Sequence, residues 1–204
     1  MKQEEKFGHT TEETKLSEII DLYGSDKNLS NYTHAYEHFF RPIKDDIKSI
    51  LEIGIGTLVP GAKSSMYPVT DRPYKQGASL RAWEHFFPNA KIYGGDIQED
   101  TQFEEGRIKT FLFDSMNTEQ CHEQLKDLSF DIIIDDGNHD AIAQIRTFYN
   151  LISRVNKGGI YVIEDITPGN SDVVIPHINS AIQTLDLKPY LLNDNKNLLI
   201  LTKN

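Results

Sequence analysis

From Ser49 onward, apolar runs of strand length alternate with stretches of helical spacing: SILEI, SLRAWEHFF, KIYGGDI, IKTFLFD, TEQCHEQLKDL, FDIIID, AIAQIRTFYNLISRV, IYVIED and VVIPHINSAIQTL. A short continuous apolar run reads as a buried strand, and apolar positions three and four apart read as one face of a helix. Strands alternating with helices predict a mostly parallel α/β sheet. At the end, KPYLLND and NLLILTK flank Asn195-Lys196 and predict an antiparallel hairpin instead of another crossover. Ahead of Ser49, Leu16, Ile19, Ile20 and Tyr23 recur at helical spacing until Gly24 and predict a short opening helix. Residues 1 to about 13 are polar and read as loose. The expected organisation is one globular unit, with an N-terminal helical segment, 1–48, covering an α/β domain, 49–204.

Composition narrows the function classes. At 204 residues, with 38% hydrophobic and 10% aromatic side chains, the chain can bury the core of one domain. Thirty-one acidic against 21 basic residues give a formal charge of −10, with no dense Lys/Arg cluster, which argues against a nucleic-acid partner. Cys121, the single cysteine, has no internal partner and reads as a small packed residue on a helix, in keeping with a reducing cytoplasm. The N-terminus, MKQEEKFGHTTEET, lacks the apolar core of a signal peptide. No run approaches the roughly 18 apolar residues of a membrane span, so any membrane role is expected to be peripheral.

Chemistry is expected where the strands end, because an open parallel sheet binds ligands outside the carboxyl ends of its strands. IDDGNHD, Ile134 to Asp140, sets Asp135, Asp136 and His139 just past one apolar run, and IYVIED closes another on Glu164 and Asp165. Clustered acids repel one another unless a cation joins them, which favours a metal site over helix capping by Asp135, Asp136 and Asn138. LEIGIG brings Gly54 and Gly56 after the first strand, where the missing Cβ lets the backbone approach a ligand. Val59 breaks the dinucleotide fingerprint, and Glu52 suits an ammonium or sulfonium better than phosphates. Asp96 ends the second strand, where a carboxylate can accept both ribose hydroxyls. Asp114, followed by Ser115, ends the third and can meet an adenine amino group, with helix capping as the competing role for both aspartates. Thr57 to Gly77, holding three prolines and two glycines, is long for an ordered loop and is expected to act as a lid over the crevice.

The set Glu52, Gly54, Gly56, Asp96 and Asp114, with the terminal hairpin, resembles the class I S-adenosylmethionine-dependent methyltransferases over about residues 49 to 204. That resemblance implies a Rossmann-like, mostly parallel seven-stranded sheet with a C-terminal antiparallel hairpin, and S-adenosyl-L-methionine as cofactor. The family's usual third glycine falls at Leu58 here, so Gly77 and Ser79 at the next helix are expected to supply the missing contacts. Within that superfamily, YGSDKNLSNYTHAYEHFF (23 to 40), GASLRAWEHFFPNAKIYGGDI, IIDDGNH and VIEDI resemble the magnesium-dependent sugar O-methyltransferases of mycinamicin and macrocin type.

By this resemblance Asp136, Glu164 and Asp165 would hold Mg²⁺ (or Mn²⁺), His139 would be the general base, and Tyr32 and Thr33 would cover the methionine end of the cofactor. The acceptor would be a sugar hydroxyl of a glycoside, a nucleotide sugar or a surface polysaccharide precursor. Such a hydroxyl is a poor nucleophile until its proton is removed, and an oxygen-ligated divalent ion acidifies it while leaving positions for two vicinal hydroxyls. The family's larger members carry a further N-terminal region, and homo-oligomeric assembly is left open. Two competing readings are a methyltransferase of the same fold acting on a non-sugar small molecule and a non-catalytic adenosyl-binding module. Trp83, Phe86 and Phe87 follow Leu80 at helical spacing and are expected in the core.

Overall fold

The computed structural model describes residues 15–63, 65–67, 74–192 and 197–204. The polar N-terminal stretch and the Asn195-Lys196 turn lie outside the described residues. Strand β1 (Ser49–Ile53) runs parallel to β2 (Lys91–Asp96) on one side and to β5 (Phe130–Asp135) on the other. The edge strand β3 (Glu104–Glu105) pairs antiparallel with β4 (Ile108–Leu112), and β4 pairs parallel with β2. Beyond β5 lies the parallel β6 (Val155–Ile166), followed by the antiparallel β8 (Asn197–Lys203) and β7 (Leu187–Leu192). The order is therefore β3-β4-β2-β1-β5-β6-β8-β7. All seven expected strands are present, and the eighth, β3, is a two-residue edge too short for periodicity to signal.

Period-two alternation divides the core between the two sheet faces. Ile132 and Ile134 of β5 join one cluster and Ile133 the other. The first face is covered by α1 (Lys15–Tyr23), α2 (Thr33–Phe40) and α3 (Ala78–Phe86), through Leu16, Ile20, Tyr36, Phe40 and Trp83. The N-terminal segment thus shares the sheet's core, and Trp83, Phe86 and Phe87 are buried as expected. The second face is covered by α4 (Thr118–Gln124), α5 (Ala141–Leu151) and α6 (Pro168–Ile182), through Cys121, Phe148 and Val174.

The chain moves from β1 toward β2 and β4, then returns through β5 to the opposite side, so β1 and β5 flank the switch point where ligands settle. The loops leaving these strands touch. A Cβ on Gly54, whose φ is +80°, would lie 2.1 Å from the Asp136 carbonyl oxygen, and one on Gly56, at φ +79°, would lie 1.7 Å from the Tyr74 hydroxyl oxygen. These glycines, expected to admit a ligand, lie against other parts of the chain and also border the cavity between the strand ends.

A second local device sits at the end of β6. Its pairing with β8 passes from Ile163–Leu199 to Ile166–Asn197, so three steps on one strand answer two on the other. Asp165 at the bulge has φ +53°. In a regular strand consecutive side chains face opposite ways. The bulge with a left-handed residue re-aims one of them, which lets Glu164 and Asp165 both turn toward the switch point.

Gly54→Ala should lower unfolding free energy on the order of 3 kcal/mol, combining left-handed strain with a collision against backbone. Urea unfolding measures this, and a loss below about 1 kcal/mol would mean that the two loops separate readily.

Candidate active site

One lysine organises the acids. Lys27, in the turn between α1 and α2, extends its ammonium to 2.8 Å from Asp136 Oδ2, 2.7 Å from Glu164 Oε1 and 3.1 Å from Glu52 Oε1, with its side chain 1% exposed. The first two contacts are hydrogen bonds. Glu52 Oε1 lies outside hydrogen-bond geometry and is paired by charge alone. The Trp83 indole donates to Glu52 Oε2, and the Tyr36 hydroxyl donates to Glu164 Oε1.

Burial opposes the charge on Lys27, yet Asp136, Glu164 and Glu52 outweigh it and raise the ammonium well above its usual pKa. Burial likewise opposes ionisation of Asp136, but Lys27 and His139 hold it below the usual carboxylate range. Burial, then the Asp136 charge, push Glu164 well above that range, and burial lifts Glu52 against the pull of Lys27.

Outside this cluster, His139 Nε2 lies 3.2 Å from Asp136 Oδ1 and its Nδ1 lies 3.5 Å from Asp165 Oδ2. Burial lowers the imidazole pKa, but hydrogen bonding and charge from Asp136, then Asp165 and Asp135, leave it raised. Asp165 is held from its other side, where the Tyr32 hydroxyl donates to Oδ1 at 2.6 Å and accepts from the Asp165 backbone N–H at 3.1 Å. Asn170 Nδ2 donates to the His139 carbonyl at 2.6 Å and fixes this loop to α6. Asp136, His139 and Asp165 each place one ligand atom within 4.8 Å of the others, so two carboxylates and an imidazole fit a divalent cation. Glu164, expected as a third ligand, is engaged by Lys27 and Tyr36.

The same residues border a cavity of ≈ 590 Å³ that runs along the β1 loop. Lys27, Glu52, Gly54, Gly56, Ser79, Asp96, Asp114, Ser115, Asp136, His139 and Asp165 line it, with Ile97, Phe113 and Met116 as apolar wall. Asp96 Oδ2 accepts from the Ile55 N–H and Oδ1 from the Gln98 N–H, both at 2.9 Å, which fixes the carboxylate at the mouth of β2. Asp114 Oδ1 accepts from the Met116 N–H at 2.9 Å. The cap of α4 is instead Asn117, whose Oδ1 accepts from Glu119 and Gln120. Capping does not explain the IDDGNHD acids either, since Asp140 occupies the cap position of α5 and Asp136 bonds Lys27 and His139.

Three expected contacts fall elsewhere. Gly77, at φ +72°, starts α3 against the Phe103 ring and does not line the cavity. Tyr32 is turned onto Asp165, and Thr33 is buried with its hydroxyl on Asn28 Oδ1 at 3.0 Å. Of the loop between Thr57 and Gly77, Thr57, Lys63, Ser65, Met66 and Tyr74 line the cavity. Asp100 ties both ends of that loop, accepting from Thr57, Leu58 and Gln76. Lys63 reaches across to Asp140, and the Tyr74 hydroxyl donates to the Ile55 and Gly56 carbonyls at 3.3 Å. Sequence reasoning assigned no site role to Lys27, Tyr36 or Tyr74; Lys27 pairs with Glu164, 137 positions away, a distance over which no local pattern reaches.

Fold and site together define a Rossmann-like class I methyltransferase architecture. No protein-family model matches the chain. Among curated proteins it is 35% identical over 157 residues to the 8-demethyl-8-alpha-L-rhamnosyl tetracenomycin-C 2'-O-methyltransferase of Streptomyces olivaceus, covering 74% of this chain and 37% of that one. It is 36% identical over 163 residues to the demethylmacrocin O-methyltransferase of Streptomyces fradiae, covering 78% and 38%. Among solved structures, the MycE methyltransferase from the mycinamycin biosynthetic pathway, in complex with Mg, SAH and mycinamycin VI, matches with a TM-score of 0.75 at 28% identity, over 95% of this chain and 56% of that one. The chain has the class I S-adenosylmethionine-dependent methyltransferase fold and resembles the sugar O-methyltransferases of macrocin and mycinamicin type. It spans well under half the length of the curated relatives it matches.

Asp135 supplies a test of the site's electrostatics. Its Oδ1 accepts from the Gly137 N–H at 3.4 Å, its Oδ2 has no hydrogen-bond partner, and burial pushes its pKa up to about 7. The folded pKa lies above the unfolded value of about 3.9, so its stabilising contribution is complete below that value and is lost as pH rises through about 7, a span of roughly 4 kcal/mol. Asp135→Asn cannot ionise and should gain on the wild type between about pH 5 and about pH 8 in paired urea-unfolding measurements. An equal difference at both pH values would refute this assignment.

Proposed function

We propose that this chain catalyses metal-assisted transfer of a methyl group from S-adenosyl-L-methionine to a hydroxyl of a sugar carried by a small glycoside. The observation that carries this reading is one cavity in which Asp136, His139 and Asp165 stand at metal-binding spacing beside Glu52, Asp96 and Asp114 at the neighbouring strand ends. The named relatives, which methylate glycosylated natural products, support the sugar acceptor. Cys121, unpaired and buried, fits a reducing cytoplasm.

In this reading Asp96 holds the ribose hydroxyls, Asp114 and Ser115 meet the adenine, and Glu52 lies toward the sulfonium. Asp136 and Asp165, with Glu164 as the third carboxylate, would hold the Mg²⁺, which would supply the Lewis acidity that lowers the pKa of an acceptor hydroxyl. His139, 3.2 Å from Asp136 Oδ1 and 3.5 Å from Asp165 Oδ2, stands beside these carboxylates as the base that takes the hydroxyl proton. The hydroxyl oxygen attacks the methyl carbon as the sulfur–carbon bond breaks, leaving S-adenosylhomocysteine.

Calorimetric titration with S-adenosylhomocysteine and with NAD, each with and without Mg²⁺, tests cofactor choice. The expected result is binding of the homocysteine product alone; binding of NAD alone would overturn the reading. His139→Ala should lower methyl transfer to a rhamnosyl glycoside by about 10²–10⁴-fold while product affinity changes little. Asp136→Asn should abolish the response to Mg²⁺, and Asp96→Ala should weaken S-adenosylhomocysteine binding; full activity in His139→Ala would remove that residue from the base role.

A further inference from the structure

Two acids at the end of β2 grip the loop that leaves β1. Asp96 accepts from the Ile55 N–H at 2.9 Å. Asp100, in the short turn that follows, accepts from the Thr57 hydroxyl at 2.7 Å, from the Leu58 N–H at 2.9 Å and from the Gln76 side-chain amide at 3.2 Å. Thr57 and Gln76 stand at the two ends of the long loop, so one carboxylate joins both ends to the segment that carries Asp96. Burial opposes the charge on Asp100, yet hydrogen bonds from Thr57, Leu58 and Gln76 hold its carboxyl below the usual range. An ionised acceptor makes the stronger kind of hydrogen bond.

These ties set in place the part of the loop that faces the cavity. The Thr57 carbonyl accepts from the Met66 N–H at 2.9 Å, and the Ile55 carbonyl accepts from the Gly77 N–H at 2.8 Å. Arg81 Nη1 donates to the Gln76 carbonyl at 2.6 Å. Between these points Met66 and Tyr74 come over Gly56, where an added Cβ would lie 3.2 Å from Met66 Cγ and 1.7 Å from the Tyr74 hydroxyl oxygen. Both side chains line the cavity that Asp96 also borders, whereas Asp100 does not line it. Any effect of Asp100 on a ligand therefore passes through the loop.

We propose that Asp100 is a positioning residue for the adenosyl cofactor: by clasping both ends of the loop to the segment bearing Asp96, it holds Met66 and Tyr74 as a fixed wall of the cavity. The ligand's identity rests on the methyl-transfer reading, and the clasp stands without it. A wall already in place spares the ligand the entropy of ordering it, so loss of the clasp shows as weaker binding.

The test compares Asp100→Ala, which removes the acceptor, with Asp100→Asn, whose carbonyl can take the Leu58 and Gln76 donors while its amide donates to the Thr57 hydroxyl. For each, calorimetry gives the affinity for S-adenosylhomocysteine, trypsin gives the cleavage rate after Lys75 in the ligand-free chain, and thermal unfolding gives Tm. Asp100→Ala should bind S-adenosylhomocysteine about tenfold more weakly and be cut about tenfold faster, with Tm within about 3 °C of the wild type. Asp100→Asn should stay within about threefold of the wild type in both affinity and cleavage. Wild-type affinity and cleavage in Asp100→Ala would overturn the proposal. So would an Asp100→Asn as impaired as Asp100→Ala, since charge and not the clasp would then be responsible. Gln76→Ala, which frees the far end of the loop alone, should move both quantities the same way by a smaller factor; an Asp100→Ala that failed to fold, or a Gln76→Ala without either shift, would also sink the idea. If the wild type bound no S-adenosylhomocysteine, the methyl-transfer reading would fall, and the cleavage rates would still decide the clasp.

Discussion

A single buried ammonium is the constraint on which the rest of this molecule depends. Removing Lys27 and its carboxylates from water costs several kcal/mol per ion, and only close geometry with further hydrogen bonds offsets that. The surroundings meet the condition: Trp83 donates to Glu52, Tyr36 to Glu164, and His139 closes the far side of Asp136. Because Lys27 precedes α2 while its partners lie at the ends of β1, β5 and β6, the network also ties the N-terminal helices to the sheet. The aromatic rings of Tyr36, Phe40, Trp83 and Phe87 pack around this junction at centroid distances of 4.9–6.2 Å, and supply the apolar part of the same attachment.

The switch point of the sheet is equally tight. The β1 and β5 loops approach so closely that only a glycine fits at position 54. Across the site the chain accepts backbone strain at Asp165 to turn two consecutive carboxylates the same way. Such strain is commonly held where geometry serves a ligand. Here it lets one strand end serve two partners: Glu164 meets Lys27, and Asp165 meets His139. Asp136 meets both, through Oδ2 to Lys27 and Oδ1 to His139.

The cavity therefore has two ends of different character. Toward β2 and β4, backbone amides fix Asp96 and Asp114 beside an apolar wall, an arrangement suited to a nucleoside. Toward β6, charge and imidazole dominate, an arrangement suited to a metal ion and a proton transfer. Glu52, on the strand between them, is reached by the same ammonium that holds Asp136 and Glu164, so the two ends share one electrostatic centre.

Much of this was legible without coordinates. Strand-length apolar runs and helical spacing specify the alternation of elements, because burial of one face imposes the period of each element on its residues. The positions of Asp96, Asp114, Asp136, His139, Glu164 and Asp165 at strand ends follow from that alternation, since parallel crossovers bring all those ends to one edge. Tertiary structure alone decided the rest. It brought Gly54 and Gly56 against other parts of the chain, sent Tyr32 to Asp165, and set Glu164 against Lys27 and Tyr36. Above all it drew Lys27 from a polar turn into the middle of the acids, a choice set by three-dimensional charge pairing between residues up to 137 positions apart, which no local pattern of hydrophobic and polar residues encodes.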